Sequence, residues 1–182
     1  MLWLHRRQIL SAHWAWARPR GLASGKRKGC RDALPKRGET HMSNVDQVKA
    51  KVQAILTEQG PVSLDSDGDY SIPMGSTRVF VHVMAHPNDE ATLVSVFAPV
   101  LTGVPLTPEF YEFVALNTDR MIFGHLALAN TDNGGYLVIS HMLLGDYLDA
   151  DELLYAVFGV ASSADEFDDD LQKRFGGKRF AE

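Results

Sequence analysis

Met121-Ile122-Phe123-Gly124-His125-Leu126-Ala127-Leu128-Ala129 and Tyr136-Leu137-Val138-Ile139-Ser140-His141-Met142-Leu143 decide how this chain folds. Both stretches read as β-strands that carry apolar side chains on both faces. Neighbouring side chains in a strand point to opposite sides. Met121, Phe123 and Ala127 are therefore expected on one face, and Ile122, Leu126 and Leu128 on the other. Both faces need cover, and the chain has few helices to supply it. That combination implies a partner, either a second copy of the chain or a bound segment of another protein.

Working outward, residues 130–135 join the two strands, with Asn133-Gly134 as a strong hairpin signal. Upstream, Thr107-Pro108-Glu109 opens a helix: a hydroxyl cap, a proline whose missing N–H costs nothing there, and an acid facing the helix dipole. Downstream, Asp149 with Glu152 three residues on opens a final helix. Its stripe of Leu153, Val157, Val160, Ala164, Phe167 and Leu171 keeps helical spacing. Extending that helix to about Phe175 makes Asp169–Lys173 and Asp170–Arg174 i,i+4 pairs, and gives Gly176 the C′ position.

Nearer the start, Ser43 or Asn44 is the expected cap of a helix carrying Val45, Val48, Val52, Ile55 and Leu56, ending before Gly60-Pro61. Short strands are expected around residues 62–64 and 70–72, and longer ones over 77–84 and 92–98. In the third of these, Val79, Val81 and Val83 oppose Arg78, Phe80, His82 and Met84. The expected fold class is thus α+β, in the order helix, three or four strands, helix, two strands, helix.

The 182 residues, 45% hydrophobic and 23% charged, have the composition of one globular domain. The charge is split. Residues 1–41 hold ten Lys and Arg against two acids, net +8, whereas residues 42–182 hold eight against twenty-one, net −13. Such an acidic domain repels phosphate backbones, which argues against nucleic-acid binding. The single cysteine, Cys30, lies in the basic segment, so the acidic domain has no disulfide, cysteine metal site or catalytic thiol. No apolar run reaches the length needed to span a bilayer, and the expected location is cytoplasmic.

Residues 1–41 carry three tryptophans, Trp3, Trp14 and Trp16, without an amphipathic period, and no stable fold is expected there. A basic arm, a transit peptide and an electrostatic tether to anionic lipid are functional readings of such a segment. The plainer reading is a non-native extension, with translation beginning at Met42. Arg37-Gly38-Glu39 can be encoded by a purine-rich stretch resembling a bacterial ribosome-binding site, and His41-Met42 is also what a common cloning site encodes. The expected division is therefore an extension over 1–41 and a domain over 42–182.

Candidate chemistry is sparse. Asp65-Ser66-Asp67-Gly68-Asp69 alternates carboxylates, but its glycine stands at position four, not the sixth position of an EF-hand loop, and a solvated hairpin turn fits better. His82, His86, His125 and His141 fall on separate elements without metal-ligand spacing. No nucleophile elbow, phosphate-binding loop or dinucleotide fingerprint occurs. The acidic run over 165–170 reads as a solvated helix face balanced by Lys173 and Arg174, with recognition of a basic partner as the alternative. The tail Gly176-Gly177-Lys178-Arg179-Phe180 is expected to fray or to dock on a neighbouring subunit.

Three strings, Asp67-Gly68-Asp69-Tyr70-Ser71-Ile72-Pro73-Met74-Gly75-Ser76-Thr77-Arg78-Val79-Phe80-Val81, Val96-Phe97-Ala98-Pro99-Val100-Leu101, and residues 165–180, together resemble the YbjN family. They resemble most its actinobacterial branch of peptide-binding, chaperone-like domains similar to type III secretion chaperones. The resemblance implies helices on one side of a twisted, mainly antiparallel sheet, frequent homodimers, no cofactor and no reaction. The expected function is a non-enzymatic module that sequesters a protein or peptide segment on apolar surface. Side chains would enter grooves between the first helix and the sheet, and backbone would pair at an open sheet edge. Phe80, Phe97, Ile122 and Leu126 are the candidate contact residues, although residues of each kind are more often plain core than contact surface. The alternative is a self-contained homodimer with a regulatory or structural role.

Overall fold

The computed structural model describes residues 41–87 and 91–180, with the side chains of residues 41–43 left aside. The basic segment read above as an extension lies outside the described residues, apart from the backbone of His41. Helix α1 (His41–Gln59) leads into β1 (Ser63–Leu64), β2 (Tyr70–Met74), β3 (Thr77–Ala85) and β4 (Thr92–Val104). Helix α2 (Pro108–Asn117), the hairpin β5 (His125–Thr131) and β6 (Gly134–Leu144), helix α3 (Ala150–Phe175) and β7 (Lys178–Arg179) follow. The strands form one antiparallel sheet in the order β1-β2-β3-β4-β6-β5, and β7 pairs with β4 off that path. The α+β class and the expected element order hold, with β7 added.

Cross-strand neighbours on an antiparallel sheet share a face, so the register sorts the side chains. Val81–Val96–His141, Val83–Val94–Leu143 and Ala98–Ile139–Leu126 are rows of one face. Those apolar residues share a single core with Val48, Val52 and Leu56 of α1, Phe110 of α2, and Leu153, Val157, Val160 and Leu171 of α3. The three helices of the described residues therefore cover the same side. The ladder between β4 and β6 skips Val100. That bulge lets the consecutive Val100 and Leu101 both enter the helix-side core.

Local chemistry fixes the helices much as expected. Thr107 caps α2, accepting the Phe110 N–H at 3.3 Å, and Asp149 caps α3, accepting the Glu152 N–H at 2.8 Å. Helix α3 ends at Phe175, where Gly176 takes φ +76° and its N–H reaches the Gln172 carbonyl at 2.9 Å. The expected caps of the first helix are corrected: Ser43 and Asn44 are already helical. The Asn44 amide bonds the Asp146 carboxylate and the Thr92 hydroxyl instead, and Asp146 in turn accepts the Thr92 N–H at 2.9 Å. This polar knot ties α1 to the start of β4.

Two further expectations are revised. The strand expected over 121–129 begins only at His125. Gly124 has φ +96°, and a Cβ there would come within 2.9 Å of Ile139. The kink breaks the alternation, so Phe123 and Leu126 both turn to the helix side. Phe123 stacks on Tyr155 of α3 at 6.3 Å and lies against Gly159, where any side chain would collide with its ring. In the hairpin, Thr131 pairs with Gly134, so the loop is Asp132-Asn133 and the expected Asn133-Gly134 turn is displaced by one residue. Gly134 (φ +105°) is instead pressed against the Val104 carbonyl.

The acidic end of α3 is also not the freely solvated face expected. Asp168 is only 5% exposed and accepts from the Ser76 hydroxyl at 3.1 Å in the β2–β3 turn, where Asp165 also bonds Ser76. Arg174 lies over the rings of Phe113 (5.2 Å) and Phe175 (4.6 Å), and Asp169 pairs with Arg179 at 2.7 Å, in place of the expected helical ion pairs. Placing a lysine at Asp168 buries an uncompensated cation. Asp168→Lys is expected to cost about 3 kcal/mol in urea unfolding, whereas Asp170→Lys, on the exposed side, stays within about 0.5 kcal/mol of the native chain.

His141 supplies a pH dependence. Its Nδ1 accepts the Gly124 N–H at 3.1 Å and its ring meets Phe123 edge-on. Burial pushes its pKa below the ordinary value, a shift that nearby Glu152 only partly offsets. The unfolded chain therefore takes up this proton more readily than the folded one. The corresponding stability is complete above the unfolded value of about 6.5 and is lost as pH falls through the window below it. Unfolding midpoints between pH 7 and 5 should drop more steeply for the native chain than for His141→Gln, and parallel profiles would show that His141 does not contribute.

Candidate peptide-binding surface

The face of the sheet opposite the helices is built around two phenylalanines. Ser71, Phe80, Phe97, Ser140 and His125 form a single row across β2, β3, β4, β6 and β5. The rings of Phe80 and Phe97 stack with centroids 5.4 Å apart and planes 18° apart. Both are buried, 3% and 8% exposed. Small hydroxyl residues, Ser71, Ser95 and Ser140, surround the pair and are buried as well. The Ser71 hydroxyl accepts from Arg78 at 2.7 Å, which also fixes an otherwise flexible cation at this face. Rows His82–Ser95–Met142 and Met84–Leu93–Leu144 continue the surface toward one end of the strands.

The chain's own tail reaches this face. Arg179 and Lys178 pair with Leu101 and Thr102 of β4, and Phe180 sets its edge on the Phe80 ring at 5.7 Å and 83°. An edge-to-face contact between aromatic rings places the positive rim of one against the negative face of the other. The tail expected to fray or to reach a neighbouring subunit thus docks within its own domain. Sequence reasoning missed β7 because two residues carry no period, although Lys-Arg-Phe after paired glycines was visible as a basic, aromatic-ended segment.

The four candidate contact residues separate. Phe80 and Phe97 are brought together as the stacked pair. Leu126, 4% exposed, sits in the helix-side core. Ile122 is 92% exposed in the segment before β5, beside Phe123. The groove expected between the first helix and the sheet is filled, because Val48, Val52 and Leu56 close onto β3 and β4 and the Tyr70 hydroxyl bonds the Lys49 carbonyl at 3.0 Å. A second apolar surface lies on the outer side of α3, where Tyr155 and Phe158, one turn apart, are exposed.

The His82 ring bonds the buried Asp69 carboxylate, while His141 is engaged with Gly124, so these two histidines are held apart on opposite faces. Gly68 takes φ +83° in the carboxylate-rich turn, and Asp65 there accepts the Asp67 and Asp69 N–H groups at 2.9 and 3.0 Å. The positive φ at Gly68 is as expected, but the turn is not simply solvated, because Asp69 is buried. Among the described residues no three His, Cys, Asp or Glu side chains stand where they could hold a metal ion, and no helix is long and apolar enough to cross a membrane.

A chain of the HopA1–SchA chaperone–effector complex is 14% identical, with a TM-score of 0.48 over 70% of this chain and 97% of its own. The Yersinia pestis type III secretion chaperone SycH, solved with a stable fragment of YscM2, is 10% identical, with a TM-score of 0.42 over 70% of this chain and 98% of its own. No curated protein matches the sequence. The family model described as T3SS (YopN, CesT) and YbjN peptide-binding chaperone 1 matches residues 45–182, and the chain belongs to that family.

Proposed function

We propose that this protein is a non-enzymatic, cytoplasmic module that holds an extended segment of a partner protein on the sheet face opposite its helices. One observation carries the reading: the stacked Phe80–Phe97 pair lies at the centre of the sheet face opposite the three helices of the described residues. Membership of a peptide-binding chaperone family supports it. A partner's apolar side chains would seat on this serine-bordered aromatic pair in exchange for the contacts that now bury it, while its backbone pairs with strand edges. Burying a few hundred Å² of apolar surface at ~25 cal/mol/Å² gives several kcal/mol before association costs. That is sufficient for affinities around the micromolar range.

The homodimer alternative has its own surface. Tyr155 and Phe158 on the outer side of α3, with Ile122 exposed in the segment whose Phe123 packs on α3, are apolar groups suited to a second copy of the chain. The two readings are compatible, because they use opposite sides of the molecule.

Peptides selected from a random display library against the full chain test the main reading. Phe97→Leu, which keeps apolar volume but removes the stack, should weaken the selected peptides about 10-fold or more, a loss of about 1.4 kcal/mol. Tyr155→Ala should leave that affinity intact and shift only the sedimentation of a dimer. Failure to select any binder, or equal binding by Phe97→Leu, would count against this surface.

A further inference from the structure

The C-terminal segment repeats within one chain the contacts that a bound peptide strand makes. Strand β4 is 13 residues long. One of its edges is paired with β6 along its length, whereas the other is paired with β3 only from Thr92 to Phe97. Beyond a gap, that second edge is taken by β7 at Leu101 and Thr102. The Lys178 carbonyl also receives a long 3.4 Å contact from the Thr102 hydroxyl. The next side chain, Phe180, then lands on Phe80 of the stacked pair. Strand addition combined with a side chain placed in an apolar site is a common mode of peptide recognition.

The attachment is short. Two ladder positions hold the backbone, and the Arg179–Asp169 pair is partly open to solvent, which weakens it. The segment follows Gly176 and Gly177, with φ of +76° and +85°, a pair of residues able to swing the chain without steric penalty. Gly177 is also required by closeness, since a Cβ there would lie 2.8 Å from the Thr102 carbonyl oxygen and from Val104.

Resting on the peptide-binding reading, we infer that residues 176–180 are an intramolecular stand-in for the partner. The site takes an extended segment of another protein in which a glycine is followed by basic residues and then an aromatic one, and this segment must displace the tail. Each feature of that sequence has a counterpart on the surface. The glycine passes the Thr102 carbonyl, Arg179 pairs with Asp169 on a domain of net charge −13, and the aromatic ring meets Phe80. The tail sets a threshold, because a partner binds only as tightly as its advantage over the resident segment allows.

The test uses the full chain and, as probe, a fluorescein-labelled heptapeptide of residues 176–182. Phe180→Ala should bind this probe at least 5-fold more tightly than the native chain does. The same peptide carrying alanine in place of its phenylalanine should bind neither. Should Phe180→Ala fold poorly by circular dichroism, Arg179→Glu, which sets a second carboxylate against Asp169, releases the tail and should shift affinity in the same direction. Equal binding to native and released chains, or no binding to a folded released chain, would overturn the inference. Display-selected peptides that bind all these chains alike would do so too while leaving the chaperone reading standing. Absence of any selected peptide would remove both.

Discussion

Everything in this domain answers to the fact that β4 is apolar on both sides. Its residues from Thr92 to Leu101 are all buried, so the strand cannot lie on a surface. One side is closed by α1, α2 and α3 in a continuous core. The other carries Leu93, Phe97 and Pro99, which require cover just as much. A globular protein usually settles this with a second helical layer or a second sheet. Among the described elements the returning tail adds Phe180 to that face.

The one-sided helix layer has internal causes. Bulging at Val100 delivers two successive apolar residues to the same side. The kink at Gly124 turns Phe123 inward beside Leu126, and Gly159 leaves room on α3 for its ring. Phe110, Phe113, Phe167 and Phe175 then bind α2 to α3 through aromatic contacts of 5.1 to 6.4 Å. Each device enlarges the helix-side core at the expense of alternation along a strand, and alternation is the rule on which sequence reading depends.

Legibility follows the same boundary. Periodic segments were readable: the stripe of α3 and its end at Phe175, the Thr107 and Asp149 caps, and the opposition of Val79, Val81 and Val83 to Phe80. So was the presence of a second apolar face, because it needs only parity. What could not be read were places where one backbone angle or one distant neighbour overrides a local pattern. Gly124 looked like an ordinary strand glycine, and Asn44 like a cap, until Asp146, a hundred residues away, engaged it. Asp168 sat in an acidic run whose neighbours are solvated, and only the placement of Ser76 makes it different. Phe80 and Phe97 were both legible as apolar strand residues. Their stacking required the register between β3 and β4, which no single strand encodes.

The strand order has a kinetic corollary. Strand β4 pairs with β6 across an intervening helix and strand, while β1 to β4 and the β5–β6 hairpin each close over short loops. Local ladders incur little loop-closure entropy and can form early, whereas joining the two halves along β4 and β6 must wait for a long-range encounter. Helix α3, contributed by the second half, packs on β3 and β4 of the first. The junction and the helix therefore consolidate together. Topology alone thus predicts that the slow step of folding is the meeting of the two halves along the seam between β4 and β6.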